Sequence, residues 1–477
     1  MPTDKYISPL SQRYASVQMQ YLFSADKKFS TWRRLWVALA QIEKDLGLPI
    51  SEDQIAEMQE HVDTINYDDA REREREVRHD VMAHVYAYGL QCPSAKGIIH
   101  LGATSCYVGD NADMIIMKEA LALIGDKLLC TIRNLSEFAE KYKDLATLAY
   151  THFQPAQPTT VGKRATLWIR DLMDDFEDVE RTAGSLLLLG SKGTTGTQAS
   201  FLELFDGDFD KVDAMDPALA EKFGFPGCTP VSGQTYSRKA DYRVLSVLGQ
   251  IAVSASKFAG DIRLLQHMKE IEEPFGRKQI GSSAMAYKRN PMRSERIAAL
   301  SRYVICNTVN PAITAASQWL ERTLDDSANR RLSIAEGFLA VDGILELMMN
   351  VTDGMVVYPK VVEAHLKQEL PFMATETILM DAVKEGGDRQ VLHEKIRQAS
   401  MEAGRRVKEE AADNDLMDRL IADEAFGLDE EKAARALAPE RYIGCAAHQT
   451  EGYLERQVRP LLEQYKDRLK YSGKVDV

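Results

Sequence analysis

Between residues 112 and about 142, apolar side chains recur at Leu121, Ile124, Leu128, Ile132, Leu135 and Ala139. That three-to-four spacing, sustained over several turns, predicts one long amphipathic helix. Further helical runs are expected at about 25–46 (Phe29, Trp32, Leu35, Trp36, Leu39, Ile42), 161–189, 236–270, 291–318 and 328–350. Few stretches alternate in the manner of strands. Long helices with short interruptions predict an all-α protein built on a helical bundle. Tyr358-Pro359 marks a boundary. The expected division is an N-terminal helical domain (1–111), a central long-helix bundle (112–357) and a C-terminal helical domain (358–477).

Composition narrows the function classes. Six cysteines (Cys92, Cys106, Cys130, Cys228, Cys306, Cys445) lie far apart without a Cys-x-x-Cys pair. Free thiols in a reducing compartment follow, rather than a zinc or disulfide framework. The longest apolar runs, such as Leu186–Leu189, are too short to span a bilayer, and the first residues carry no apolar signal region, so the cytoplasm is expected. With 59 basic against 72 acidic side chains the net charge is −13. That balance argues against a general nucleic-acid binder. It leaves room for a small anionic substrate where cations are concentrated locally.

Residues 281–296 concentrate them. Gly281, Ser282 and Ser283 lead a loop that carries Lys288, Arg289, Arg293 and Arg296. Asn290-Pro291 reads as a helix start, Asn capping free amides and Pro taking the first helical position. Arg293 and Arg296 then fall where the helix dipole is positive, at a cost of ~0.3–1 kcal/mol each. Such local conflicts tend to mark functional sites. Loop amides, a helix N-terminus and four cations make an anion site; the plain alternative is a solvated basic turn.

Other blocks are ambiguous by themselves. Arg71 to Glu76 alternate in charge, as an exposed helix face would. His79 and His84 are five apart, which does not fit a metal pair on one helix face. His79 beside Asp80 is either an oriented imidazole or a surface histidine. His100 to Ser105 is a Gly-containing loop ahead of a helix expected to start near Asp110–Asn111; its hydroxyls and amides suit either a carboxylate or plain capping. Pro155 and Pro158 keep His152 out of a regular helix, and Thr160 can cap the next one. His152 is then a titrating group or a satisfied structural histidine. Gly190-Ser-Lys-Gly193 invites a phosphate-loop reading, but no Gly-Lys-Ser/Thr follows and no parallel-sheet pattern supports it. Asp174-Asp175-Phe-Glu-Asp178 fits an Asp-Asp-x-x-Asp magnesium motif. Its second motif fails, because Gly337 stands where Glu is needed, and the cluster reads as a solvated helix face. Glu321 to Arg331 is the last dense polar block.

The 281–296 run resembles the signature loop of the fumarase/aspartase superfamily, G-S-S-x-M-P-x-K-x-N-P. Its Tyr-Lys-Arg-Asn-Pro-Met-Arg-Ser-Glu form resembles the adenylosuccinate lyase family in particular. Ala286 replaces the expected Pro, which bears on loop rigidity but not on the reacting groups. Five blocks, from Arg13 to about Gln449, follow the family's order. The resemblance implies a three-domain all-α fold. It also implies elimination of fumarate from adenylosuccinate, and from the succinyl imidazole ribotide of purine synthesis, without a cofactor or metal. It assigns Ser282 as general base and His152 as general acid. Lys288 and the loop amides would stabilise the intermediate's charge, while His79 and Glu295 orient His152 and the substrate. Substrate contacts would come from Arg13, Tyr14, Arg78, Asp80, Thr104, Ser105, Thr151, Gln234, Asn290, Arg322, Ser327 and Arg331. Superfamily sites draw on several subunits, so a homotetramer with shared active sites is implied, and neither nucleic acid nor membrane is expected as a partner. Argininosuccinate lyase or fumarase would keep the fold and change the substrate; the Arg13-Tyr14 and Arg322…Arg331 sets, which suit a nucleotide phosphate, speak against them. A magnesium-dependent isoprenoid synthase is the rival of another class. A catalytically silent relative is the third, and retention of Ser282, Lys288 and His152 argues against it.

Overall fold

A computed structural model describes residues 4–276 and 278–473. Among these, α1 (Val17–Leu22), α2 (Ala25–Asp45), α3 (Glu52–Glu60), α4 (Tyr67–Val77) and α5 (Asp80–Gln91) lead into the long α6 (Ser105–Lys141). A hairpin of β1 (Ala146–Thr151) and β2 (Gln154–Thr160) connects α6 to α7 (Val161–Ser185). After α8 (Ala199–Leu204) and α9 (Phe209–Phe223) comes α10 (Lys239–His267), then β3 (Ile271–Glu272), α11 (Met292–Asn307), α12 (Val309–Ala316) and α13 (Asp326–Gly354). β4 (Val356–Val357) pairs with β3, and α14 (Pro359–Lys384), α15 (Arg389–Glu410), α16 (Leu416–Ala422), α17 (Glu430–Ala436), α18 (Ala446–Tyr453) and α19 (Arg459–Gln464) complete the order.

The all-α expectation holds, with a bundle of α6, α7, α10, α11 and α13 at the centre. All six apolar positions of the stripe on α6 are buried in the main core. Each such aliphatic side chain contributes about 1.5–3 kcal/mol on burial, except the smaller Ala139. No helix of the described residues is long and apolar enough to cross a membrane. A second apolar core lies in residues 374–436, and the chain end returns to the bundle, where Leu454 and Val458 join the main core.

Several boundaries differ from the sequence reading. α6 starts at Ser105, not near Asp110–Asn111. Those two look like caps, but they are buried partners: Asn111 bonds the backbone of Tyr107 and Gly190, and Asp110 meets Arg238. Capping and burial in a polar network draw on the same residue types. The 291–318 run divides at Thr308 into α11 and α12. The segment around His152 is a two-stranded ribbon rather than irregular chain. Thr151 pairs with Gln154, and His152 and Phe153 occupy the turn at φ 52° and 58°, the doubly left-handed geometry of a tight hairpin. Pro155 and Pro158 do keep His152 out of a helix, and a two-stranded ribbon has only edges, where Pro is tolerated. Thr160 does cap α7, its hydroxyl accepting from the Lys163 amide at 3.0 Å. The acidic cluster on α7 is only partly a solvated face: Asp174 pairs with Arg170 and Asp178 with Arg181 at 2.5 Å, but Asp175 is buried.

Candidate active site

α4 ends where Arg78 takes a left-handed conformation (φ 51°), and the chain turns at once into α5. His79 is the N-cap of α5. Its Nδ1 accepts the Met82 amide at 3.3 Å, so Nε2 carries the proton and faces the Ser105 hydroxyl at 3.2 Å. Asp80 accepts from the Arg331 guanidinium at 3.5 Å. These groups open on a cavity of about 740 Å³ between the N-terminal helices and the bundle. Nine of the expected residues line it: Arg78, His79, Asp80, Thr104, Ser105, Gln234, Arg322, Ser327 and Arg331.

The cavity floor is a buried ionic network. Arg238 donates to Asp110 at 2.9 and 3.2 Å and to Asp326 at 2.6 Å. Arg330 pairs with Asp241 at 2.6 Å and Asp113 at 2.9 Å, and also reaches the Tyr236 hydroxyl. Buried charges are tolerated only when paired and hydrogen-bonded in this way. The network consumes the charge of Arg238 and Arg330. Among the described residues, Arg78 and Arg322 have no carboxylate within ion-pair distance and stay available to an anion. Arg322 instead donates to the Cys106 sulfur at 2.8 Å. Burial first, then the Asp110 charge, pushes that thiol up to about 12, so it stays neutral. Gln234 is held by its amide nitrogen on the Thr194 carbonyl at 2.9 Å and its backbone N–H on Glu321 at 3.0 Å. Gly233 is required beside it, since a Cβ would overlap the Glu321 carbonyl. The sequence reading missed Asp110, Asp113, Asp241, Arg238 and Asp326. They come from three separate segments, the starts of α6, α10 and α13, and nothing in the sequence couples those segments to one another.

The remaining expected residues lie outside this cavity. Arg13 and Tyr14 sit on a short turn packed on α13, Tyr14 against Gly343. Thr151 and His152 are exposed at the hairpin tip. Lys288 and Glu295 are exposed, while Ser282 and Asn290 are half-buried. In the 281–290 loop the Ser282 hydroxyl accepts the Ala284 and Met285 amides at 3.3 and 3.1 Å. Gly281 presses against Lys288 so closely that any Cβ would overlap its carbonyl oxygen.

Two expectations about this loop are corrected. Asn290 does not cap α11: its side-chain nitrogen donates to the Gly281 carbonyl at 2.7 Å, closing the loop. The α11 N-terminus is not a vacant anion site either. Glu273 fills it, accepting the Arg293 amide at 3.0 Å, the Ser294 amide at 2.9 Å and the Ser294 hydroxyl at 3.0 Å. A buried carboxylate there offsets the conflict between Arg293 and the helix dipole.

Comparison with known proteins agrees with this architecture. Residues 37–306 match a family model described as lyase, and residues 371–453 match one described as adenylosuccinate lyase C-terminus. The chain is 50% identical to an adenylosuccinate lyase of Saccharomyces cerevisiae, covering 97% of this chain and 96% of that one. It is 49% identical to an adenylosuccinate lyase of Schizosaccharomyces pombe, covering 99% and 98%. A fumarate lyase structure from Mesorhizobium sp. BNC1 superposes with a TM-score of 0.79 at 23% identity, covering 93% of this chain and 99% of that one. A 3-carboxy-cis,cis-muconate lactonizing enzyme from Pseudomonas putida gives 0.82 at 22%, covering 94% and 99%. At that identity these two show the shared fold alone.

Proposed function

The chain belongs to the adenylosuccinate lyase family, and on that premise we propose that it eliminates fumarate from adenylosuccinate to leave AMP, and from SAICAR to leave AICAR. The observation that carries the reading is the cavity of about 740 Å³ with unneutralised arginines beside His79 and Ser105. A nucleotide monophosphate needs that volume and that charge. No cofactor is invoked, because proton transfer and charge stabilisation suffice.

Ser282 removes the proton next to the succinyl carboxylate. The C–H electron pair becomes the new C=C bond of fumarate, the C–N bond breaks, and His152 protonates the departing nitrogen. A hydroxyl acts as base only where its alkoxide is stabilised. The two amides that Ser282 already accepts support that role, as does Lys288 on the same loop. Lys288 and Asn290 would face the substrate carboxylates, with Glu295 and His79 as orienting groups. Arg322, Ser327 and Arg331 would take the phosphate, with Arg13 and Tyr14 reaching it from a neighbouring copy; Arg78, Asp80, Thr104, Ser105, Thr151 and Gln234 would hold the rest.

The hairpin tip with His152 and the loop with Lys288 are exposed on their own chain. We place them in the cavities of neighbouring copies, within a cytoplasmic homotetramer whose protomer has the three-part division 1–111, 112–357 and 358–477. Exposed apolar side chains at Val253, Val309, Ile313, Trp319, Leu320 and Leu324 support such association.

Mixing two inactive variants tests both the roles and the sharing. His152→Ala and Ser282→Ala should each lose roughly 10²–10⁴-fold in kcat while still binding substrate. Co-refolded together, they should regain activity, because some sites receive an intact His152 and an intact Ser282. A mixture no more active than its parts would contradict the shared site.

A further inference from the structure

The cavity contains one more cation that the proposed roles do not use. Ser24, the N-cap of α2, and Lys28 and Trp32 on the helix recur four residues apart, and all three line the cavity. The Lys28 ammonium lies 4.8 Å from the Trp32 ring centroid and 5.1 Å from that of Phe29. Its neighbour Lys27 points away and is paired with Glu119 at 2.6 Å. Among the described residues, by contrast, the Lys28 ammonium has neither a hydrogen bond nor a carboxylate within ion-pair distance.

The charged groups facing Lys28 are Glu74 on α4, Asp80 on α5, Asp113 on α6 and Arg331 on α13; the titratable His84 of α5, stacked on Phe29, is kept neutral by burial, which pushes it down to about 4. Asp113 is taken by Arg330 and Asp80 by Arg331. A half-buried ammonium held over two aromatic rings with no partner is unfavourably desolvated; burial depresses its pKa, partly offset by the Asp80 charge. An anion arriving in the cavity would remove that penalty.

We propose that Lys28 is a further substrate-binding residue, one that grips the phosphomonoester end of the nucleotide beside Arg331. The assignment rests on the reaction proposed above. It favours the phosphate over the succinyl carboxylates because Lys28 neighbours Arg331, which is assigned to the phosphate, and the carboxylates already have Lys288 and Asn290. The rings of Trp32 and Phe29 hold the stem, so the ammonium is positioned before the ligand arrives.

The test compares Lys28→Met, Lys28→Gln and Lys28→Arg with the wild type on adenylosuccinate and on its dephosphorylated nucleoside, with inorganic phosphate binding followed by calorimetry. Circular dichroism checks that each variant folds. Lys28→Met and Lys28→Gln should raise KM for adenylosuccinate roughly 10- to 100-fold with kcat little changed. Neither should alter KM for the nucleoside, both should weaken phosphate binding, and Lys28→Arg should restore both readouts. In the wild type, KM should rise at alkaline pH as the ammonium deprotonates, and Lys28→Arg, whose guanidinium stays charged, should flatten that rise. An unchanged KM in Lys28→Met and Lys28→Gln would overturn the proposal. So would an equal rise on both substrates, which would make Lys28 only part of the cavity wall. If the wild type cleaves no adenylosuccinate yet Lys28→Met weakens phosphate binding, the reaction is wrong and the anion site stands.

Discussion

Glu43 offers a quantitative test of how the N-terminal wall of the cavity is packed. It lies on α2, the helix that carries Lys28 and Trp32, and is 0% exposed. Neither carboxylate oxygen has a hydrogen-bond partner among the described residues. Burial pushes its pKa up from 4.5 to about 8. Between those two values the folded chain holds a proton that the unfolded chain releases, so stability falls as pH rises through that window and levels off above it. At pH 7 the group has crossed about 2.5 units of the window at about 1.4 kcal/mol each, a penalty on the order of 3 kcal/mol. Glu43→Gln keeps the shape and removes the ionisation. The unfolding entropy of a chain this long is about 1 kcal/mol/K near Tm, taking ~2.1 cal/mol/K per residue. Scanning calorimetry should therefore find the variant roughly 3 °C above the wild type at pH 7 and nearly equal to it at pH 4.5. An offset identical at both pH values, or a variant that melts lower at pH 7, would mean that Glu43 is not held protonated by burial.

Two further outcomes follow from the site. Gly281→Ala places a Cβ against the Lys288 carbonyl, so the loop must shift; kcat should fall about 10²-fold with little change in Tm, as measured by steady-state assay beside a melting curve. Arg238→Met removes the partner of both Asp110 and Asp326. Chemical denaturation should show a loss of about 3–5 kcal/mol, and a change within error would mean the network is not stabilising.

The helices were legible because burial imposes a period, and the stripe from Leu121 to Ala139 carries it over five turns. Helix ends were less so. Asn290-Pro291 has the composition of a cap, but Asn290 serves the loop and a residue seventeen positions upstream, Glu273, supplies the anion. The prolines around His152 excluded a helix but did not by themselves indicate a hairpin. The signature loop and the blocks around His79 and Ser105 were recognisable as motifs, and the fold brings the latter two together. The ionic floor of the cavity was not legible. Asp110 and Arg238 are 128 residues apart, and an isolated Asp or Arg carries no sign that it is buried. Lys28 was hidden for the same reason. Its sequence neighbours suggest an ordinary helix surface, and only the placement of α4, α5 and α13 makes that surface a cavity wall.

Fumarate release from adenylosuccinate in metal-chelated buffer, with argininosuccinate as control, tests the proposed reaction itself. Release is expected from adenylosuccinate alone, undiminished by the chelator. Release only from argininosuccinate, or from neither, would contradict the proposed reaction.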